Sequence, residues 1–203
     1  MLRLGVMGGT FDPLHWAHLV MAEEAKNAFG LQKVLFIPTG QPPHKSDLSV
    51  SDAEHRYAMA LLGTAQNPAF EVSRIEIERQ GPSYTVDTIK TLKHFYGEST
   101  DIFFLVGADE ALDIVNWHEA DQLPNLATFL VAPRPGFGLA ELESRLPAHF
   151  TASMKLLSMP PVDISSIDLR ARMAEGKSIK YLVPESVEAY ILKHRLYAER
   201  DDK

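Results

Sequence analysis

The chain has 203 residues, 45% of them hydrophobic and 23% charged, which suits a compact globular unit with a sizeable core and excludes a disordered segment. It has no cysteine, which excludes disulfides and thiolate metal sites and makes a reducing, cytoplasmic setting the expectation. A formal charge of -7 argues against a nucleic-acid coat, so any anionic ligand has to be held locally by backbone amides, helix N-termini and a few placed cations.

The apolar run at residues 2–7 is too short for a signal-peptide core, and no later stretch approaches the roughly 18 apolar residues of a membrane helix, so neither secretion nor membrane insertion is expected. Leu2–Met7 is the first predicted strand. It leads through a Gly-rich loop into a helix over Trp16–Phe29, where Leu19 and Val20 lie apart from Glu23, Glu24 and Lys26 and Gly30 suits a C′ stop. Val34–Ile37 is the next strand, and Pro38 opens a loop that runs through "TGQPPHKSDLS". Ser51 and Glu54 have the spacing of a capping box, predicting a helix from there to about Ala65, with Phe70–Val72 as a short strand after it. "GPSYT" precedes a helix over Val86–Phe95 that ends at Gly97, with Ser83 or Thr85 as its cap. The strand Ile102–Val106, a helix over Ala108–Val115, the strand Ala127–Val131 and a weaker strand Lys155–Leu157 continue the alternation. Ser166–Ala174 reads as a helix closed by Gly176, and Pro184 suits the first turn of a last helix with Val187, Tyr190, Ile191 and His194 on one face. "APRPGFGLAELESRLPAHF" has no clear place in this scheme.

Short continuous apolar strands separated by helices, with no internal repeat, predict an α/β fold: a doubly wound, Rossmann-like parallel sheet with helices on both faces. Residues 1–203 read as a single domain with a small helical part from about residue 160. In such sheets ligands bind beyond the carboxyl ends of the strands, so the loops after strands are where functional residues are sought.

The loop after the first strand is "GGTFDPLHWAH", residues 8–18. Its histidines, His15 and His18, admit three readings. They cap a helix or pack in the interior; they share a zinc ion, against which stand the missing H-E-x-x-H pattern and the missing cysteines; or they serve phosphate chemistry. For the third, Gly8 and Gly9 permit close backbone approach, Thr10 offers a hydroxyl, and the helix start presents amides to an anion. Two imidazoles there could donate hydrogen bonds to charge developing at phosphorus.

Taken whole, the stretch resembles the signature of the nucleotidylyltransferase superfamily, H-x-G-H after a Gly-Gly-Thr-Phe-Asp-Pro loop, with Ala17 in place of the usual glycine. Further motifs are similar to those of the bacterial nicotinate-nucleotide adenylyltransferases. "IPTGQPPHK" resembles that family's loop for the mononucleotide phosphate, which would make His44 and Lys45 its ligands. "GPSYTVDT" resembles the segment that reads the pyridine carboxylate, with Tyr84 and the amide of Thr85 in contact. "LVGADEALDIVNW" resembles the strand-end motif in which Gly107 and Asp109 read the adenosine ribose and Trp117 stacks the pyridine. Arg134 in "APRPG" matches the family's R-P-G, and "ISSIDLR" matches I-S-S-T-x-I-R, with Ser165, Ser166 and Arg170 toward the outer phosphates and Ile167 in place of a hydroxyl residue.

The resemblance implies transfer of the adenylyl group of ATP to nicotinate mononucleotide, giving nicotinate adenine dinucleotide and pyrophosphate. It implies ATP contacts from Gly8, Gly9, Thr10, Phe11, His15 and His18, with Thr10, His15 and His18 as the catalytic set and Mg²⁺ arriving on ATP rather than in a protein cage. Partners are then the two substrates, with no nucleic acid and no membrane, and homo-oligomerisation is compatible with the sequence. The alternatives are a related transferase acting on nicotinamide mononucleotide or phosphopantetheine, against which Trp117 and the "PSYT" segment speak, and a non-catalytic nucleotide sensor, in which both histidines would be superfluous. A tRNA synthetase fragment lacks the length for a tRNA-binding domain and the lysine-rich second motif.

Overall fold

The computed structural model describes residues 1–41, 50–133 and 138–198. Six parallel strands lie in the order β3-β2-β1-β4-β5-β6, the order of the Rossmann fold. In chain order the elements are β1 (Arg3–Gly9), α1 (Trp16–Phe29), β2 (Lys33–Pro38), α2 (Ala53–Thr64), β3 (Phe70–Val72), α3 (Thr85–Tyr96), β4 (Asp101–Gly107), α4 (Ala108–Asp113), α5 (Leu123–Leu126), β5 (Thr128–Ala132), α6 (Leu139–Arg145), α7 (Ala148–Thr151), β6 (Met154–Leu156), α8 (Ser166–Ala174) and α9 (Glu185–His194). The order reverses at β1, where β2 and β4 flank it, so the carboxyl ends of β1 and β4 open the crevice in which such sheets hold nucleotides.

Strand alternation assigns each face its own core. Leu4, Val6, Leu35, Ile37, Phe104, Val106, Phe129 and Val131 point to one side and are covered by Val86, Ile89 and Leu92 of α3, Leu123 of α5 and Phe150 of α7. Val34, Phe36, Phe103, Leu105 and Leu130 point to the other, under Leu19, Met21, Ala22 and Ala25 of α1 and Ala60 of α2. A third cluster joins Met59 of α2 to Leu169 of α8 and to Val187 and Ile191 of α9, so the C-terminal helices grip α2. Burying each of these larger side chains contributes about 1.5–3 kcal/mol.

The local rules hold in several places. The Gly30 amide donates to the Lys26 carbonyl from a left-handed conformation, which closes α1 where expected. Val187 and Ile191 are buried on the predicted face of α9, and Tyr190 and His194 on that face meet His55 of α2. Elsewhere tertiary contacts override them. The first strand runs on to Gly9 because β2 pairs with it that far, Gly8 opposite Ile37 and Gly9 opposite Pro38. The cap of α2 is Asp52, whose carboxylate accepts from the Glu54 amide (2.8 Å), while Ser51 turns its own amide to Asp12. Neither Ser83 nor Thr85 caps α3: Tyr84 takes the N-cap position with extended backbone, and Thr85 is the first helical residue. The helix after β4 stops at Asp113 and continues as a 3₁₀ turn over Ile114–Asn116. The region that the sequence left unplaced holds α6 and α7.

Candidate active site

The loop after β1 leaves the sheet at Thr10, and Phe11 turns it with a positive φ of 51°. Its centre is buried: Asp12 is 1% exposed and His15 4%. His15 begins α1 as its N-cap, and its backbone N–H donates to Nδ1 of His18 (3.2 Å). An accepting Nδ1 places the imidazole proton on Nε2, so His18 is fixed as a donor through that nitrogen. The two rings stack at 3.8 Å between centroids, and Phe11 meets His18 edge-on at 5.1 Å. The Phe11 ring is itself buried against Phe36, so this side chain supports His18.

Both histidines are held neutral. Burial pulls His15 down to about 4, and burial together with repulsion from a charged His15 keeps His18 well below its ordinary value. At neutral pH the pair therefore offers hydrogen-bond donors without bringing a positive charge of its own. The His18 amide stands in capping-box relation to the His15 side chain but donates to the His15 carbonyl (3.1 Å), which leaves His15 Nδ1 without a well-formed hydrogen bond, a condition it shares among the described residues with one other buried side-chain atom, the Ser83 hydroxyl oxygen. Both lie in segments singled out from the sequence, and buried polar groups without partners are uncommon in folded proteins.

The start of α8 docks on the same loop. Ser166 Oγ donates to the Pro13 carbonyl (2.9 Å) and Arg170 Nη1 to the Asp12 carbonyl (2.8 Å). Ser165 caps the helix, accepting from the Asp168 amide while its hydroxyl donates to the Asp168 carboxylate (2.7 Å). Both serine hydroxyl protons are thus engaged within the protein. The helix start has its amides and positive dipole end for an anion, with Arg170 one turn further on. Ile167 points away, 70% exposed.

A second group of predicted residues assembles around the start of α3. The Ser83 amide donates to the Gln41 carbonyl (3.2 Å), which ties the loop after β2 to the "PSYT" segment. Tyr84 stacks on His118 at 4.2 Å, and Trp117, half-buried, meets Phe104 of β4 edge-on at 6.3 Å. Gly107 ends β4 and Asp109 lies in the first turn of α4. His44, Lys45 and Arg134 lie outside the described residues.

Sequence reasoning missed three residues that build this site. Asp12 stood inside the quoted motif without a role; its carboxylate accepts from the Ser51 amide (3.1 Å) and from the hydroxyl of Tyr197, beyond α9. That hydroxyl stays protonated, because burial and then the Asp12 charge push its ionisation far above the ordinary value. Arg56 is buried within α2 and donates to the carbonyls of Ser51, Thr10 and Gly40. The signal for Arg56 was its spacing: with Met59 and Ala60 it shares the buried stripe of α2, where a charged residue needs a reason.

A parallel sheet whose order reverses at β1, with a glycine-ended strand, a paired-histidine loop and two helix starts beyond its strand ends, has the arrangement of a phosphate-handling α/β protein. The cytidylyltransferase-like family model matches residues 6–172. The "probable nicotinate-nucleotide adenylyltransferase" of Moorella thermoacetica is 50% identical, covering 98% of this chain and 94% of its own length. The protein of the same name from a Thermoanaerobacter species is 48% identical over 99% of this chain and 97% of its own. A Plasmodium falciparum nicotinic acid mononucleotide adenylyltransferase, solved in complex with NaAD, shares the fold with a TM-score of 0.78 at 21% identity, covering 97% of this chain and 98% of that one. The chain belongs to the cytidylyltransferase-like family and, within it, to the nicotinate-nucleotide adenylyltransferases.

Proposed function

We infer that this chain joins ATP and nicotinate mononucleotide into nicotinate adenine dinucleotide with release of pyrophosphate. The observation that carries the reading is the His15–His18 pair: stacked, neutral, with the His18 proton fixed on Nε2 beside a helix start and an arginine. The mononucleotide phosphate is already a nucleophile at neutral pH, so the reaction needs no serine, cysteine or general base. Its obstacle is the approach of two anions in line at the α-phosphorus, and that calls for placement and for donors aimed at developing charge.

In this reading Thr10, His15 and His18 hold the α-phosphate and its transition state. The amides at the start of α8, with Arg170, receive the departing pyrophosphate. Tyr84, the Thr85 amide and Trp117 hold the pyridine ring and its carboxylate, His44 and Lys45 meet the mononucleotide phosphate, and Gly107, Asp109 and Arg134 face the adenosine half. The whole of residues 1–203 then acts as one catalytic unit, since the part beyond about residue 160 supplies Ser166 and Arg170 to the first loop.

Among the described residues no three or more histidine and acidic side chains cluster as a metal cage. In this reading Mg²⁺ arrives with the triphosphate as part of the substrate, where it would neutralise phosphate charge. No described helix is long and apolar enough to cross a membrane.

The test is to give purified protein MgATP with nicotinate mononucleotide, nicotinamide mononucleotide or phosphopantetheine in turn, reading pyrophosphate and product mass. Preferred turnover of the nicotinate compound is expected; binding of ATP without pyrophosphate release in any mixture would return the protein to the class of nucleotide sensors.

A further inference from the structure

Strands β1 and β2 pair in parallel as far as Gly9 opposite Pro38, and one more backbone bond follows, from the Thr39 amide to the Gly9 carbonyl (2.9 Å). At the next residues the chains part. The ladder register stops short of the Thr10 and Gly40 carbonyls. Instead both accept from a single guanidinium: Arg56 Nη1 reaches Thr10 O at 2.9 Å and Nη2 reaches Gly40 O at 3.3 Å, while Nε holds Ser51 O at 2.9 Å. The planar fork continues the sheet by one rung where the backbone cannot.

The rung is fixed on every side. Arg56 is 2% exposed, so its donors face no competing water. Ser51, which accepts from Nε, is held from its other side by the Asp12 carboxylate; burial lowers Arg56 from its ordinary value, and the Asp12 charge opposes that and favours the buried cation. Gly40 is pressed against the backbone of Glu76, so closely that a Cβ at residue 40 would lie 2.1 Å from the Glu76 carbonyl oxygen. Only glycine fits between the fork and that wall.

The two loops so joined are the two that carry the substrates in the reading above. Thr10 leads to His15 and His18; Gly40 leads through Gln41, bonded to Ser83, toward the start of α3. We propose that Arg56 is a positioning residue that sets the spacing between the nucleotide loop and the mononucleotide loop, so that two separately bound anions meet in line. The proposal rests on the functional reading for its consequence in turnover, but not for its structural content.

In-line transfer is sensitive to placement, and a shift of about 1 Å costs on the order of a hundredfold in rate. Arg56→Lys keeps the charge and the helix but cannot span three carbonyls from one nitrogen. Its binding of a non-hydrolysable ATP analogue alone and of nicotinate mononucleotide alone should stay within about threefold of wild type by calorimetry, while kcat falls roughly a hundredfold. Amide hydrogen exchange at residues 10–11 and 39–41 should rise together in the same variant. Gly40→Ala provides an independent perturbation: it displaces the same rung from the Glu76 side without touching the charge, and it should give the same separation of binding from turnover. If both variants fold and keep kcat, or lose it only in proportion to weaker binding of one substrate, Arg56 is a stability residue and the proposal fails; should Arg56→Lys not fold, Gly40→Ala decides by the same criteria. Wild-type protein runs beside them. An inactive wild type overturns the functional reading, whereas coupled exchange at the two loops still reports on the rung.

Discussion

Replacing His18 by alanine removes the donor that the structure defines most sharply. The His15 amide occupies Nδ1 at 3.2 Å, so the Nε2 proton is the one His18 presents, and the ring is held between His15 at 3.8 Å and the Phe11 edge at 5.1 Å. A donor held this rigidly incurs little reorganisation cost when charge develops at phosphorus. Losing one such donor costs about 2.7–4 kcal/mol of transition-state stabilisation, so kcat should fall by roughly 10²–10³. His18 as a whole residue keeps some exposure and its ring makes one helix-start bond, so the cost to folding should be about 1 kcal/mol, visible as a small drop in melting temperature. His18→Asn refines the test. An asparagine oxygen can still accept from the His15 amide but places no donor where Nε2 was, so it should repair the helix start and leave turnover as low as alanine does. The assay is the initial rate of pyrophosphate release at saturating MgATP and nicotinate mononucleotide, beside the dissociation constant of an ATP analogue. Turnover of His18→Asn within about threefold of wild type would mean that the Nε2 donor takes no part in the transition state.

Arg170→Ala should raise the KM for ATP much more than it lowers kcat, because its charge faces the outer phosphates in the ground and transition states alike; a loss confined to kcat would contradict that role. Trp117→Ala should weaken nicotinate and nicotinamide mononucleotides by similar factors, since stacking uses the ring face that both share, while wild type should prefer the acid by roughly ten- to a hundredfold in kcat/KM through one charge-assisted bond at the α3 start. Competing the two compounds in one reaction and weighing the dinucleotides measures the ratio, and equal consumption would remove the carboxylate role from Tyr84 and Thr85. His15 adds an acid-sensitive element to stability: its value falls from 6.5 unfolded to about 4 folded, so between those limits the unfolded chain binds the extra proton and stability is lost as pH drops, by up to about 1.4 kcal/mol per pH unit. Above pH 6.5 neither state is charged and the contribution vanishes. Ligand-free His15→Gln should show a shallower fall of melting temperature than wild type from pH 6.5 to 4.5, and an unchanged slope would refute burial as the cause.

Patterns that recur over several turns or a whole strand were readable from the sequence. Trp16–Phe29 and Phe70–Val72 form over the stretches predicted, because periodicity and the flanking glycine or loop residues agree with the tertiary structure. Caps were less legible. Ser51 has the right spacing for α2, but its amide answers Asp12, a residue 39 positions earlier, and Asp52 takes the cap. The short helices α5, α6 and α7 fall below the length at which an amphipathic period shows itself. The histidine pair was visible as a motif, but its neutrality, its stacking and its tautomer depend on burial and on one backbone bond. For Arg56 the spacing with Met59 and Ala60 marks a place on the buried stripe of α2, but its partners are carbonyls, which every residue carries, so its role was not legible.

In turnover the bond from the α-phosphorus to the oxygen bridging it to the β-phosphorus should break, and the adenylyl group should pass to the mononucleotide phosphate while that oxygen leaves with pyrophosphate. Isotopic labelling tests it in a single reaction scheme: the protein is given nicotinate mononucleotide with ATP carrying ³²P at the α-position, and in a parallel tube at the γ-position, and the products are separated. The α-label should appear in a dinucleotide and the γ-label in pyrophosphate, in equal amounts. Appearance of the γ-label on the mononucleotide or as orthophosphate would contradict it.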